Sequence, residues 1–178
     1  MLGGSTALNG GYFVRPRDVD CLRWAALGNP GWAPDRLLPW FRRLEDDQRY
    51  GATAQHGAGG PMPVHRALDD VAPVTAAFAA AATELGFAGD PDKNDMGTVT
   101  GAGPLPVTVA AGVRVSTATA YLAPVRAHRP NLTVRGGAVV HRVLVTGGRA
   151  TGVLVAAGGT TEVVLGDAVV LALSLIHI

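Results

Sequence analysis

Beyond Pro130 the sequence breaks into short runs of β-branched residues cut by two glycine pairs, Gly147-Gly148 and Gly158-Gly159. No other feature restricts the fold as tightly. Consecutive glycines supply the positive-φ positions that a tight hairpin turn requires. The pattern therefore predicts strands over Val139–Thr146, Ala150–Ala156 and Thr161–Leu165, joined as an antiparallel meander. Two further strands are expected at Leu132–Val134 and Ala168–Ala172. Val169-Val170-Leu171 shows no polar alternation, which suits a strand buried on both faces of a parallel sheet.

Before Pro130 the periodicity is helical. Asp18 to Glu45 reads as two short helices. The first carries Val19, Leu22 and Trp24 and is stopped by Gly28-Asn29-Pro30-Gly31. The second starts at Pro34-Asp35 and repeats Leu37, Leu38, Phe41 and Leu44 at helical spacing. Val71–Leu85 places Val74, Phe78, Ala81, Ala82 and Leu85 on one face, with Gly86 as the stop. Ser116-Thr117 begins a last helix running toward His128. Gln48–Arg66 and Gly89–Gly112 read as loops.

Composition removes several function classes. With 48% hydrophobic residues in 178 positions the chain is not a disordered tail. Its 15 Lys+Arg against 14 Asp+Glu give a net charge of +1, too little for a nucleic-acid partner. Cys21 is the sole cysteine, so there is neither a disulfide framework nor a paired-thiolate zinc site, and a reducing, cytoplasmic setting is expected. The apolar run Ala168–Ile178 is short of the ~20 residues of a membrane span. His56 and His65 read as exposed loop residues, and Asp90, Asp92, Asn94 and Asp95 as a solvated loop. Arg15, Arg17, Arg42 and Arg43 read as solvated charges. No metal site is expected, because no histidine has a second ligand at metal-binding spacing.

The opening, Leu2-Gly3-Gly4-Ser5-Thr6-Ala7-Leu8-Asn9-Gly10-Gly11, concentrates small residues and bare backbone amides. Such a segment lets the main chain approach a flat or anionic ligand closely, although glycines in an ordinary tight turn read the same way. With Tyr12-Phe13-x-Arg15-Pro16 it resembles the first signature of the glucose–methanol–choline (GMC) flavoprotein oxidoreductases. Further matches follow in order: Gly28-Asn29-Pro30-Gly31-Trp32, Leu37-Leu38-Pro39-Trp40-Phe41 and His56-Gly57-x-x-Gly60-Pro61. Gly112-x-Arg114-x-Ser116-Thr117-Ala118 and Arg129-Pro130-Asn131-Leu132 complete the series.

The resemblance implies an α/β fold class, an α+β piece of an FAD/NAD(P)-binding-type flavoprotein domain with a β-meander and part of the substrate domain. It implies FAD as cofactor, with Ser5, Asn9, Gly10, Gly11, Tyr12 and the Val140 main chain as contacts. Asn9-Gly10-Gly11 holds no histidine, so the attachment is non-covalent. Cys21-Leu22 departs from the aromatic and acidic pair usual in the family. The implied reaction is oxidation of an alcohol CH–OH by hydride transfer to flavin, choline-dehydrogenase-like, with oxygen, a quinone or another carrier as acceptor. No catalytic residue is assigned: the catalytic histidine and the Gly-x-Gly-x-x-Gly turn match nothing in the chain. Leu173-Ser174-Leu175-Ile176-His177-Ile178 reads as a translated sequencing adaptor. The expectation is a fragment cut at both ends and inactive alone, divided into 1–66 (signature loop and helices), 67–130 (substrate-domain border), 131–172 (meander and returning strand) and 173–178 (tail). A non-catalytic binding or structural module is the alternative.

Overall fold

The computed structural model describes residues 1–67, 71–97 and 100–173; most of the suspected tail lies outside them. The chain forms two units, Met1–Pro130 and Asn131–Ile178.

In the first unit, Gly4–Ala7 forms a single 3-10 turn, and the chain then continues through Gly11–Arg15, where Tyr12 makes an isolated antiparallel bridge with Val107. Helix α1, Asp18–Ala26, starts where the Arg17 N–H donates to Asp20 Oδ2 at 3.1 Å. Asp18 and Asp20 stand in the first turn, where the helix dipole favours anions. Gly28, at φ 96°, turns the chain out of it. Pro34, whose missing N–H costs nothing at a first helical position, opens α2, Pro34–Leu44. Trp24 and Trp32 meet edge to face at 5.7 Å between these helices.

Strand β1, Glu45–Asp47, pairs in parallel with β2, Met62–Val64, with Glu45 opposite Met62 and Asp47 opposite Val64. The connection folds under α2 so tightly that a Cβ on Gly57 would lie 1.8 Å from the Arg42 carbonyl oxygen. Helix α3, Pro73–Glu84, follows, and then the short parallel pair β3, Ala88–Gly89, and β4, Gly101–Ala102. Strands β5, Val109–Ala110, and β6, Val113–Arg114, form a hairpin whose turn places Ala111 and Gly112 at φ 49° and 75°. A wide π-turn at Ala118–Leu122 precedes α4, Ala123–Arg126. Pro124 donates no hydrogen bond and its ring crowds the carbonyl four residues back, which opens the helix there.

The second unit is the antiparallel meander of β7, Ala138–Thr146, β8, Arg149–Ala157, and β9, Thr160–Leu165. Gly147 and Gly148 (φ 57° and 78°) and Gly158 and Gly159 (φ 58° and 80°) make the two turns, as the glycine pairs demanded. His141 has no ladder partner, because the register shifts between Val140 and Arg142.

Two of the five expected strands are not formed. Leu132–Val134 and Ala168–Ala172 have no strand partner among the described residues. An apolar run becomes a strand only where a neighbour pairs its backbone, and Val170 and Leu171 stand exposed. The helix expected from Ser116 to His128 is shorter and partly π-wound. The apolar stripe of α3 buries only Ala82, leaving Val74, Phe78 and Leu85 open.

Candidate functional site

The glycine-rich opening and the Arg114–Ala118 motif, far apart in sequence, are fastened together. The Arg114 guanidinium donates to the Asn9 carbonyl, and the Thr117 N–H donates to Thr6 Oγ1 at 2.9 Å. Thr6 Oγ1 in turn donates to the Gly3 carbonyl at 2.6 Å. A Cβ on Gly3 would come within 3.1 Å of Ser116 Oγ, and φ at Gly3 is 91°, so glycine is what permits this approach.

Of the expected contacts, Ser5, Asn9, Gly10 and Tyr12 are exposed. The Ser5 and Tyr12 hydroxyls form no hydrogen bond among the described residues. Gly11 differs from them. It is buried, its N–H donates to Asn9 Oδ1 at 2.9 Å, and its carbonyl accepts from the Thr108 N–H at 2.7 Å. Its backbone therefore shapes the turn from within, while Asn9 and Gly10 are exposed. A Cβ on Gly10 would lie 3.0 Å from the Tyr12 ring, and one on Gly4 would meet open space. Bare, accessible main chain beside an aromatic ring and free hydroxyls fits a planar, polar-edged group such as a flavin. Val140, in the second unit, sits in β7 opposite Val155, next to the bulge at His141.

What holds the Phe13–Arg15 segment behind this turn is a buried ionic cluster. The Phe13 N–H donates to Pro106 O at 2.9 Å. Asn94, with no accessible surface, accepts the Arg15 N–H at 2.9 Å and donates Nδ2 to Phe13 O at 2.8 Å. The Arg15 guanidinium ion-pairs with Glu45, donates to Gln55 O at 2.8 Å and lies over the Phe41 ring at 5.4 Å. Glu45 Oε1 also meets His56 Nδ1 at 3.1 Å and accepts the Gly57 N–H at 2.9 Å. His56 Nε2 stands 2.7 Å from Asp92 Oδ2. Arg66 bridges Asp47 at 2.6 Å and Asp92 at 2.7 Å.

Three of the expectations from sequence are corrected here. His56 is 1% exposed and not a surface loop residue. Arg15 is buried, and so are Asp90, Asp92 and Asn94 of the supposed solvated loop. The physical reason is mutual neutralisation. Glu45, Asp47 and Asp92 face Arg15, Arg66 and a protonated His56, and buried charge is tolerated when it is paired and hydrogen-bonded. His65, by contrast, is exposed as expected.

Burial by itself lowers the pKa of His56, but hydrogen bonds to Asp92 and Glu45, with the charges of both, raise it to about 9. For Asp92, burial pushes upward, yet hydrogen bonds from His56 and the Asn94 N–H, with the His56 and Arg66 charges, carry its pKa below the ordinary value. Glu45, Asp47 and His56 each present a ligand atom within 4.8 Å of the others. Arg15 and Arg66 already donate to the two carboxylates, so the trio is built as an ion-paired knot. The signal that could have exposed it is weak. Glu45-Asp46-Asp47 is an acidic run whose first and last members are buried, but their partners at 15, 56, 66 and 92 come from distant segments.

The profile of the GMC oxidoreductase family matches residues 1–177. An uncharacterised GMC-type oxidoreductase from the thcA 5′ region of Rhodococcus erythropolis is 41% identical over 170 residues, covering 95% of this chain and 33% of that protein. An oxygen-dependent choline dehydrogenase of Photobacterium profundum is 36% identical over 172 residues, 96% of this chain and 30% of the other. The crystal structure of pyridoxine 4-oxidase from Mesorbium loti superposes with a TM-score of 0.82 at 31% identity, over 92% of this chain and 32% of that one. The chain thus spans about a third of the length of these relatives. It belongs to the GMC oxidoreductase family, whose cofactor is FAD.

Proposed function

We propose that this chain supplies the flavin-lining signature of an FAD-dependent oxidoreductase that oxidises the CH–OH group of an alcohol. The observation that carries the reading is the opening turn, in which Ser5, Asn9, Gly10 and Tyr12 are exposed, Gly10 offers bare backbone, and the Ser5 and Tyr12 hydroxyls have no hydrogen-bond partner among the described residues. FAD, when bound, supplies the hydride-accepting ring. The chain's own contribution is to bind and orient. The Ser5 hydroxyl and the Asn9 amide nitrogen offer hydrogen bonds to polar oxygens, Gly10 permits close approach, and Tyr12 offers an aromatic surface. Gly11 acts through the turn it shapes, and the exposed β7 backbone at Val140 offers a separate main-chain contact. Choline and pyridoxine are named as substrates in the relatives, and both carry a primary alcohol, which supports that substrate class here.

The reading is tested by titrating the purified chain with FAD and following flavin fluorescence. Gly10→Val, which fills the approach beside Tyr12, is expected to weaken binding about ten-fold or more, a loss of about 1.4 kcal/mol. Flavin fluorescence unchanged by the wild-type chain, or equal affinity in the two proteins, overturns it.

A further inference from the structure

The hydrogen bonds of the ionic cluster close on themselves. From the Arg15 guanidinium they pass to Glu45, from Glu45 to His56 Nδ1, and from His56 Nε2 to Asp92. Asp92 Oδ1 accepts the Asn94 N–H at 3.1 Å, and Asn94 Oδ1 accepts the main-chain N–H of Arg15, the residue where the path began. We propose that His56 is a positioning residue for the flavin-facing turn Asn9–Tyr12: as an imidazolium bridging Glu45 and Asp92 it closes a ring of hydrogen bonds that starts and ends on Arg15, and so fixes the strand from which the turn projects. That this turn faces a flavin rests on the proposed function; the ring of hydrogen bonds does not.

A carboxylate at each ring nitrogen favours the charged form. A neutral imidazole donates from one nitrogen only and turns a lone pair toward the other carboxylate. Loss of the proton therefore breaks the ring at one of its two imidazole contacts and leaves a buried carboxylate short of a partner. The charged and titratable groups around His56 come from every element packed on it. Glu45 and Asp47 belong to β1, the latter with Oδ2 at 3.2 Å from Nδ1, and Asp92 to the loop after β3. Arg66, just past β2, holds Asp47 and Asp92, and Arg15 of the signature strand holds Glu45. Arg42 of α2 donates Nε to the His56 carbonyl at 2.9 Å, and the Tyr50 ring lies 5.5 Å away. Within this set only His56 contacts both Glu45 and Asp92; Arg66 spans Asp47 and Asp92 beside it, and the Arg15 guanidinium also donates to Asn94 O at 3.3 Å. Asn94 then converts the state of the cluster into strand position, since its side chain bonds both the Arg15 N–H and the Phe13 carbonyl.

The test follows the full 178-residue chain by NMR between about pH 6 and about pH 10.5, a range that spans the titration of a histidine raised to about 9. Imidazole nitrogen shifts report the charge on His56, and amide exchange normalised to its intrinsic rate reports the strand. The expected result is a doubly protonated ring near neutrality, with protection at the Phe13 and Arg15 amides falling about ten-fold or more as that ring deprotonates. The meander amides of β7–β9 keep theirs. In His56→Gln the Phe13 and Arg15 amides are weakly protected at every pH. A merely space-filling His56 would leave the local pH profile flat, so protection that persists through the titration, or a neutral ring near pH 7, overturns the proposal. Should His56→Gln fail to fold, the wild-type titration decides alone. Added FAD separates the two readings: FAD that leaves the Gly10 and Tyr12 signals unshifted sinks the flavin assignment, while the pH response of Phe13 and Arg15 still judges His56.

Discussion

Glu45 accepts from Arg15, His56 and the Gly57 N–H through one oxygen. Removing that charge strands two buried cations, so Glu45→Gln is expected to cost about 3–5 kcal/mol in urea unfolding. The exposed Arg135–Glu162 pair makes the control, since Glu162→Gln there should cost under about 1 kcal/mol. The pH dependence has a defined sign. His56 has a folded pKa raised from 6.5 to about 9, so its contribution is full below 6.5 and is lost as the pH rises through about 9. A difference of that size corresponds to stability on the order of 3 kcal/mol. Asp92, lowered in the fold, acts at the other end: its contribution holds above its ordinary pKa and is lost as acid carries the pH through the folded value. Thermal midpoints measured against pH should therefore hold a plateau between the ordinary Asp92 value of 3.8 and the ordinary His56 value of 6.5, and fall on both sides. None of this was legible in the residues. His56 sits among glycines, Asp92 beside a proline and a lysine, and each looks solvated until the segments that carry their partners are brought together.

At the scale of elements, residues that dictate local backbone were the readable ones. The pairs Gly147-Gly148 and Gly158-Gly159 announced both turns of the meander, and Pro34 announced the start of α2. Leu132–Val134 and Ala168–Ala172 pair with no strand among the described residues, because β-branched composition states what a strand would tolerate and not whether a neighbour exists to pair with it. The short pairs β1–β2 and β3–β4 escaped notice for a related reason, being only three and two residues long in each strand. In the β5–β6 hairpin, Ala111 occupies a left-handed position at φ 49° that a Cβ disfavours. Ala111→Asn should stabilise the chain by about 0.5–1 kcal/mol, read as a shift in the urea midpoint at unchanged slope.

Over the whole molecule, polar burial and apolar exposure are distributed unusually. The first unit buries Arg15, Glu45, Asp47, His56, Arg66, Asp92 and Asn94, while Phe78 of α3 is 71% exposed and Leu85, its C-cap, 78%. No helix among the described residues is long and apolar enough to cross a membrane. Open apolar faces of this kind promote self-association, so Phe78→Glu with Leu85→Glu should lower light scattering of the purified chain. Its stability should stay within about 0.5 kcal/mol, because neither side chain packs inside. The ionic knot carries a different lesson, one for descent. Residues linked in a circle cannot drift one at a time: each single replacement strands its neighbours, whereas an apolar set exchanged together would leave no orphaned charge. Lineages that keep the knot and lineages that abandon it are therefore separated by unfit intermediates, and the cluster should be inherited whole or lost whole.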